Sequence, residues 1–385
     1  MKIVVDVSKL KEAVRKLQGL KPACRTRPIL LGHTLLIAKE GYLKLWGTNL
    51  EAYLELLVEA EVFIPGEETI NMKELHQCLK DCTEERAVLE SVEGKKVRFR
   101  AGTFVRVFVE SDPVVLHEYT IYTMLNESQV YSIETAPLLR AVKLVGHSFT
   151  MDESKPSLMC ILVKCERGLM KLISTDSRRL SVSDTFSVPS FQCMTRASDC
   201  FFLITGKDAV NLMPVLADSE KIQMLFQKKS NLVGFHTLNT SLVLRIQEGE
   251  FPDYAGAIPE IPTHARLVTN TKAFLKALQP LEAAAKENAY IINLDFCNGG
   301  FLLASVKSSA GEGQAVVPGD FRLLTPLIDE YHIGINLKYL QGMLKASDTK
   351  EITVGFCKPL TPILFTSNDP GRDFKGIVMP IRLVQ

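Results

Sequence analysis

One helical pattern of hydrophobic and polar positions occurs three times along the chain. In each copy an apolar residue, an alanine and two further apolar residues recur at the spacing of one helix face. These positions are Leu138, Ala141, Val142 and Val145 in 135–146; Leu10, Ala13, Val14 and Leu17 in 8–17; and Phe274, Ala277, Leu278 and Leu281 in 271–281. Thr135 is the expected N-cap of the middle copy, with Pro137 in its first turn. A pattern kept three times indicates an internal repeat.

Short alternating segments and a second apolar helix follow each copy of that helix. The second helix is expected to begin near Asn71, after 201–204 and from Asn336, and Pro214 predicts a kink or a short first turn in the middle one. Strands are expected at 2–7, 29–38, 42–45, 52–63, 97–100, 104–109, 130–134, 158–164, 169–173, 201–204, 232–236, 241–246, 266–268, 290–295, 301–305, 352–356, 363–366 and 374–378.

This order of elements predicts an α+β protein of three repeated domains, 1–121, 128–255 and 262–385, each with two helices packed on antiparallel sheets. Two helices cover only part of such sheets, so the remaining sheet edges need partners. Pairing of edges between successive domains, and finally with a second chain, closes a ring and leaves no exposed edge. In that arrangement the apolar helix faces pack on sheet and the polar faces point into the central hole.

The composition is that of an ordinary globular protein with ample core material. Of its 385 residues 46% are hydrophobic and 23% charged. No apolar run approaches the roughly 18 residues that span a bilayer, and the N-terminus lacks the apolar segment of a signal peptide. Nine cysteines, an odd number without framework spacing, favour reduced thiols and a cytoplasmic location.

Positive charge is concentrated on the three repeated helices. They carry eight basic residues and one acidic residue, although the formal net charge of the whole chain is only +1. A basic set on equivalent helices of an otherwise slightly acidic protein is typical of a surface that follows a polyanion. The alternative for any one helix is that its lysines are simply solvated.

No catalytic constellation is recognisable in the sequence. A phosphate-binding loop, a GxSxG elbow and an HExxH motif are all missing, and the histidines are scattered without ligand spacing. Cys78 and Cys82 could share a metal, but they lack a second ligand pair and are expected in the core. The segment 175–177 (Thr-Asp-Ser) reads as a turn rather than as a nucleophile and its base. We therefore expect no catalytic residues, no metal and no cofactor.

Four short segments, in their order and spacing, resemble the β sliding clamp family of bacterial replicative DNA polymerase. They are 27–30 (RPIL), 175–180 (TDSRRL), 251–254 (FPDY) and 378–382 (VMPIR), and the resemblance covers essentially the whole chain. It implies a head-to-tail homodimeric ring of six similar domains that encircles double-stranded DNA without reading its sequence, slides, and tethers polymerases and repair proteins. Because the chain lacks a nucleotide site, ring opening implies a separate clamp-loader ATPase.

The resemblance and the charge pattern together select the residues expected to face DNA. They are Lys9, Arg15, Lys16, Arg140, Lys143, Lys272 and Lys276. A ring holds DNA by topology, so it needs only weak phosphate contacts and no base readout. Lys155 is a further candidate in the loop 151–156, near which the family touches DNA. For the dimer, family analogy joins the first domain of one chain to the third of another, with 73–82 and 283–286 as candidate segments.

The resemblance also implies a hydrophobic cleft between the second and third domains that accepts short linear peptides. Carried over by motif, its residues are Leu158, Thr175, Ser177, Arg178, Arg179, Leu180, Pro252, Ala257, Ile377, Val378, Met379 and Pro380. Three of them depart from the family pattern: Ser177 replaces a usual Gly, Arg178 a His or Tyr, and Ala257 a larger aliphatic residue. We expect a wider pocket at Ala257 and a preference for acidic peptides from Arg178. The alternative is that these residues form only an inter-domain core.

Two other functions compete with this interpretation. One is a repeat-built scaffold that binds proteins without encircling DNA. The other is a DNA-processing enzyme that uses Asp176 or Asp253, although a metal-dependent enzyme would need clustered carboxylates.

Overall fold

The chain is described from a computed structural model that covers residues 1–20, 32–93, 96–109, 129–189, 199–227, 231–259, 264–297, 301–309, 311–325, 332–358 and 360–382. The helices are α1 (Val7–Leu17), α2 (Met72–Lys80), α3 (Thr135–Val145), α4 (Gly206–Leu212), α5 (Thr271–Leu278), α6 (Glu282–Glu287) and α7 (Leu337–Ser347). None of the helices in these ranges is long and apolar enough to cross a membrane.

Antiparallel strands make up most of the remaining structure. The first ten are β1 (Lys2–Asp6), β2 (His33–Lys39), β3 (Tyr42–Thr48), β4 (Ala52–Ile64), β5 (Gly66–Asn71), β6 (Arg86–Val92), β7 (Lys96–Ala101), β8 (Phe104–Val109), β9 (Gln129–Glu134) and β10 (Cys160–Glu166). The next eight are β11 (Leu169–Thr175), β12 (Arg179–Val182), β13 (Phe186–Ser187), β14 (Cys200–Thr205), β15 (Lys221–Gln227), β16 (Leu232–His236), β17 (Thr240–Gln247) and β18 (Ala265–Asn270). The last eight are β19 (Ile291–Cys297), β20 (Phe301–Ser308), β21 (Gly311–Val317), β22 (Asp320–Leu323), β23 (His332–Asn336), β24 (Glu351–Phe356), β25 (Ile363–Ser367) and β26 (Lys375–Val378).

Two compact units are distinguished by their internal contacts. The first comprises 1–139, 188–197 and 207–246, and the second comprises 140–187, 198–206 and 247–385. The predicted domain boundaries at 121–128 and 255–262 fall in or next to segments outside the described residues, so the division into three domains stays a prediction.

In the first unit the long strand β4 joins two sets of strands. Its second half pairs with β1, which continues through β6 and β7 to β8. Its first half pairs with β3 on one side and with β17 on the other, and β17 leads through β16 and β15 to β9. The second unit contains an unbroken antiparallel order β14–β10–β11–β12–β26–β25–β24–β18–β22 and a separate sheet β21–β20–β19–β23.

The repeat predicted from the sequence is visible in the order of elements and in one hydrogen bond. A strand, a helix, a run of strands, a second helix and further strands follow one another three times, and the third copy has the additional short helix α6 after α5. In each copy the first helical N–H donates to a carbonyl that precedes a later strand: Val7 to Glu85, Thr135 to Glu220 and Thr271 to Lys350, at 2.9, 2.9 and 3.0 Å. Otherwise this N–H would have no partner, since the first turn of a helix lacks internal acceptors.

The predicted apolar helix faces are confirmed, and they explain why the helices pack on sheet. Of the twelve repeated positions all but the half-buried Ala277 are buried. In α1 the N-cap is Asp6, whose side chain accepts a hydrogen bond from the N–H of Lys9 at 2.9 Å. The side chain of Asn270 caps α5 in the same way, because it accepts a hydrogen bond from the N–H of Ala273.

The prediction that Thr135 is an N-cap is wrong. Thr135 is the first helical residue of α3, and its side-chain oxygen is buried without a hydrogen-bond partner among the described residues. Thr135 corresponds to Val7 and Thr271, the first helical residues of α1 and α5. The expected disruption at Pro214 is confirmed, because α4 ends at Leu212 and continues as a 3₁₀ turn over Met213–Asp218.

Candidate functional site

The DNA-facing residues predicted from the sequence lie on the outer faces of α1, α3 and α5. Because the apolar residues of each helix face the sheets, the polar positions are left toward solvent. The exposed members are Lys9, Arg15, Lys143, Lys272 and Lys276, and the half-buried members are Lys16 and Arg140. Their exposure is what a phosphate contact requires, but contact with DNA stays a prediction.

The loop that contains Lys155 offers little positive charge. Asp152 accepts hydrogen bonds from the N–H and the hydroxyl of Ser154, at 3.1 and 2.7 Å, and these bonds lower the pKa of its carboxyl. Lys155 is exposed next to Asp152 and Glu153, so the loop is acidic on balance. This lessens the case for Lys155 as a DNA contact.

The segment 175–179 folds into a turn that Asp176 holds together. Its Oδ1 accepts hydrogen bonds from the backbone N–H groups of Arg178 and Arg179, and its Oδ2 accepts one from Nε of Arg179, each at 2.9 Å. Thr175 Oγ1 donates to the carbonyl of Arg179 at 2.7 Å. Ser177 takes a φ of 73°, the left-handed conformation that favours glycine. The carboxylate of Asp176 thus stabilises its own turn.

Strand pairing brings the two halves of the predicted cleft together. β12 lies beside β26 in the second unit, with Arg179 opposite Val378 and Leu180 opposite Ile377. The pairing is extended by the N–H of Met379, which donates to the carbonyl of Arg178 at 2.8 Å. Residues about 200 positions apart in the sequence therefore form one continuous surface.

An apolar cluster forms the base of this surface. Its buried members are Ile173, Leu180, Val182, Leu364 and Ile377, and the partly buried Leu162, Phe251, Tyr254 and Ile258 pack against them. The rings of Phe251 and Tyr254 meet nearly edge to face, with centroids 6.4 Å apart. Among the predicted cleft residues Leu180 and Ile377 are each only 3% exposed. They support the cleft from below.

The solvent-facing part of the predicted cleft is smaller than the full set of residues. Met379 is 36% exposed, and Pro252 and Ala257 are exposed on the segment 252–257. Arg178 and Ser177 are also exposed, Thr175 and Val378 are buried, and Pro380 is half-buried. Leu158 is buried in the 3₁₀ turn Pro156–Met159, where its N–H donates to the carbonyl of Lys155 and its carbonyl accepts from the N–H of Thr150.

Two residues outside the predicted cleft set adjoin this surface. The guanidinium carbon of Arg179 lies 4.3 Å from the ring centre of Tyr339 on α7, a cation–π contact. His147 lies behind β12, with Nε2 3.2 Å from the hydroxyl oxygen of Ser181. Burial, together with the nearby Arg179 cation, lowers the pKa of His147 to about 3, so the ring is neutral. The signal for Tyr339 was available, since it is an aromatic residue outside the apolar face of its helix.

Across the described residues the predicted cleft forms a surface, and its carboxylates are engaged in local hydrogen bonds. Among the residues that the structure describes, no three His, Cys, Asp or Glu side chains are grouped as metal ligands. Cys78 and Cys82 are both buried, and burial raises the pKa of the Cys78 thiol to about 11. Asp253, the other carboxylate considered for catalysis, accepts a hydrogen bond from the N–H of Ala255 at 3.1 Å.

Comparison with known proteins gives a consistent family. Residues 132–253 match a family model described as the central domain of the DNA polymerase III beta subunit. The chain is 25% identical over 403 residues to a beta sliding clamp of Rickettsia bellii, covering 100% of both chains. It is 22% identical over 387 residues to a beta sliding clamp of Chlamydia trachomatis, covering 100% of this chain and 87% of that one.

Solved structures share the fold over the full chain. The beta subunit of DNA polymerase III from Thermotoga maritima superposes with a TM-score of 0.84 at 21% identity, and the sliding clamp from Bacillus subtilis with 0.85 at 20%. Each comparison covers 100% of both chains. The central-domain match and the full-length relatives support a bacterial β sliding clamp, and the solved clamp structures share the fold of this chain.

Proposed function

We propose that the protein is a DNA sliding clamp, a non-catalytic processivity subunit that encircles duplex DNA as a homodimeric ring. The observation that carries the proposal is the threefold helix, with its apolar face on sheet and its basic face toward solvent, in a chain of this family. Such a ring tethers the replicative polymerase and other replication or repair proteins, and a separate clamp-loader ATPase opens it. It works where the bacterial chromosome lies, in the cytoplasm.

Sliding requires that the inner surface attract phosphates without gripping them. Each phosphate neutralised by a lysine or arginine makes binding tighter and more dependent on salt. The seven residues Lys9, Arg15, Lys16, Arg140, Lys143, Lys272 and Lys276 are spread over three helices, and the chain as a whole is nearly neutral. This distribution suits a protein held on DNA by closure of the ring.

The homodimer would form by pairing of two exposed strand edges. β8 pairs only with β7 among the described strands, and it exposes Phe104, Val105, Val107 and Val109 at 45, 51, 46 and 72%. β21 pairs only with β20 in its described sheet. The candidate segments 73–82 and 283–286 border these edges, since Glu74 lies 3.8 Å from Arg106 of β8 and α6 packs beside β21. We propose β8 and β21 as the edges that meet across the dimer.

Partner proteins would bind the surface formed by β12, β26 and 252–257. An aliphatic or aromatic anchor of a linear peptide would contact Met379 above the buried cluster around Leu180 and Ile377. The exposed guanidinium of Arg178 at its edge favours an acidic flank. The small side chain of Ala257 leaves room for a large anchor.

Retention on circular DNA distinguishes a clamp from a protein-binding scaffold. The chain is loaded on nicked circular plasmid with a clamp loader and ATP, and the bound fraction is measured by gel filtration before and after linearisation. We expect the protein to stay on circles and to run off linear ends. A scaffold would not be retained on either form, and equal retention on both forms would also contradict encirclement.

Truncation of Met379 tests the peptide site. We expect Met379→Ala to weaken the binding of an acidic peptide with Leu and Phe anchors by about tenfold, because an apolar anchor loses its contact. Met151→Ala is the matched control, since Met151 is 62% exposed and lies outside the proposed cleft. Equal affinities of the two variants would contradict this location. Fluorescence anisotropy of a labelled peptide provides the measurement.

A further inference from the structure

The seven predicted DNA-facing residues fall into two classes by their ion pairs. Lys9 pairs with Glu59, Lys16 with Asp218 and Glu12, and Lys143 with Asp348 at 3.5 Å. Arg15, Arg140, Lys272 and Lys276 have no carboxylate within 4.0 Å in the part of the chain that the structure describes. Both classes occur on α1 and α3, whereas the two residues on α5 are unpaired among the described residues. The paired Lys9 and the unpaired Arg15 are both exposed, so exposure alone does not separate the classes.

In the first unit the paired lysines share one cavity with their carboxylates. Lys9 and Lys16 are seven residues apart on α1, which places them on one helix face two turns apart. They line a cavity of about 450 Å³, and Glu59 at the end of the β3–β4 pairing and Asp218 line the same cavity. Glu59 and Asp218 are 50 and 202 residues distant from their lysines. Folding thus places the carboxylates of Glu59 and Asp218 beside this face of α1.

The electrostatics of these pairs favour the charged forms of Lys9, Lys16 and Glu59. The hydrogen bond and charge of Glu59 raise the pKa of Lys9, and Lys9 in turn lowers the pKa of Glu59. Burial opposes the charge of Lys16, but hydrogen bonds to Asp218 and Glu12 outweigh it and raise its pKa. The lysines are therefore ammonium ions whose nearest anion is already supplied by the protein.

We propose that Glu59, Asp218 and Asp348 substitute for DNA phosphates, so that Lys9, Lys16 and Lys143 contribute little to DNA affinity. The contacts to phosphates then come mainly from Arg15, Arg140, Lys272 and Lys276. A carboxylate and a phosphate offer the same kind of oxygen acceptor to an ammonium group, so a phosphate gains a paired lysine only by displacing its carboxylate. This inference rests on the proposed function and identifies which residues determine the affinity of the clamp for DNA.

The consequence is a ring with weak and evenly distributed contacts. Each lysine that keeps its carboxylate partner releases no counterion from DNA and leaves the salt dependence unchanged. Because the carboxylates lie beside the basic helix faces, they also limit how long any one phosphate is held. The arrangement would lower friction during sliding without removing positive charge from the surface.

A double-mutant cycle tests the proposal. Equilibrium binding to a fluorescent 40-bp duplex is measured by anisotropy between 25 and 200 mM NaCl, and the slope of log K against log [salt] is compared. We expect Lys9→Gln to leave the slope unchanged in the parent protein but to flatten it by about 0.9 in the Glu59→Gln background. Arg15→Gln should flatten it by about 0.9 in both backgrounds. A Lys9→Gln effect equal to that of Arg15→Gln in the parent would overturn the inference.

A triple variant extends the test and controls for net charge. Glu59→Gln/Asp218→Asn/Asp348→Asn should bind more tightly and steepen the slope by about 2, because it frees Lys9 and Lys143 while Lys16 keeps Glu12 as a partner. The control triple Glu166→Gln/Glu312→Gln/Asp320→Asn removes the same charge from carboxylates that pair with Lys164, Lys307 and Arg322, outside the proposed set. Equal slopes for the two triples would refute the role of the three carboxylates.

Failure of the inference is distinguishable from failure of the proposed function. If the parent protein is retained on circular DNA and the paired and unpaired residues have equal effects, only the inference is wrong. If the parent protein is not retained on circles, the proposed function itself fails.

Discussion

Ser177 occupies a backbone conformation that its side chain disfavours. Its φ of 73° lies in the left-handed region, where a Cβ atom crowds the following carbonyl. The conformation is imposed by the turn 175–179, in which Asp176 accepts hydrogen bonds from the N–H groups of Arg178 and Arg179. The departure from glycine seen in the sequence is thus a strained position in the structure, at the edge of the proposed cleft.

Replacement of this serine should stabilise the protein. We expect Ser177→Gly to raise the free energy of unfolding by about 1 kcal/mol, because glycine adopts positive φ without steric cost. Ser177→Ala is the control, since it keeps the Cβ atom and should give no such gain. The midpoint of urea unfolding provides the comparison, and equal midpoints for the two variants would contradict the strain.

His147 should make stability depend on pH. Burial and the Arg179 cation lower its pKa from 6.5 to about 3 in the folded state. Between these values the unfolded chain binds a proton that the folded chain excludes, so stability is full above pH 6.5 and falls as the pH decreases toward 3. The loss is about 1.4 kcal/mol per pH unit at most. We expect His147→Gln to flatten this dependence in urea unfolding between pH 4 and 7.

The appropriate control for that experiment is a histidine in a different setting. His76→Gln changes a half-buried residue on α2 and should leave the dependence as in the parent protein. The slope is the relevant quantity, because either substitution can shift the absolute stability. Identical slopes for His147→Gln and the parent protein would show that His147 is not the group responsible.

Among the elements, the helices were more predictable than the strands. In α1, α2, α3, α5 and α7 the apolar residues recur from one turn to the next, which makes the helices recognisable in the sequence. Four of these helices begin after a residue whose side chain caps them: Asp6, Asn71, Asn270 and Asn336. Strands β5, β6, β12, β13, β15 and β21 to β23 were not anticipated. Several are short, and their identity depends on a neighbour far away in the sequence, as with β12 beside β26.

The exposed edge of β8 gives a prediction at this scale. We expect Val105→Glu/Val107→Glu to convert the dimer to a monomer, because like charges on an edge strand prevent edge-to-edge pairing. Sedimentation equilibrium measures the mass, and circular dichroism checks that the fold is retained. Leu238→Glu places a charge on a side chain that is 92% exposed in a turn, and it should leave the dimer intact. A dimeric double variant would exclude β8 as the interface.

For the whole molecule, the repeat explains why so much positive charge occurs at equivalent places. Three copies of one helix carry their bases on the same outer face. Apart from Glu12 on α1 itself, the carboxylates paired with Lys9, Lys16 and Lys143 come from a strand, a turn and a helix end elsewhere in the same unit. The charge count of the helices was therefore correct, but the number of bases available to DNA was overestimated if the proposed pairing operates. Only the salt dependence distinguishes these two quantities.

In the candidate cleft, too, the sequence selected the residues and the structure determined their burial and contacts. The motifs at 175–180, 251–254 and 378–382 selected its residues, and strand pairing brings the first and last of these segments together. The sequence did not reveal that Leu180 and Ile377 are buried supports, nor that Tyr339 lies against Arg179. Burial depth and ring contacts depend on which elements pack together, so no local spacing encodes them.

The sequence by itself determined the threefold helix, its apolar and basic faces, the α+β class and the family resemblance, because each depends on spacing within a few turns or on contiguous motifs. Tertiary structure alone decided the partner strand of β12, the residue before Thr135 as the helix boundary, and the carboxylates placed beside Lys9, Lys16 and Lys143. These features join residues that are tens to hundreds of positions apart. Local periodicity constrains which face a side chain occupies, and only the folded chain determines what lies opposite it.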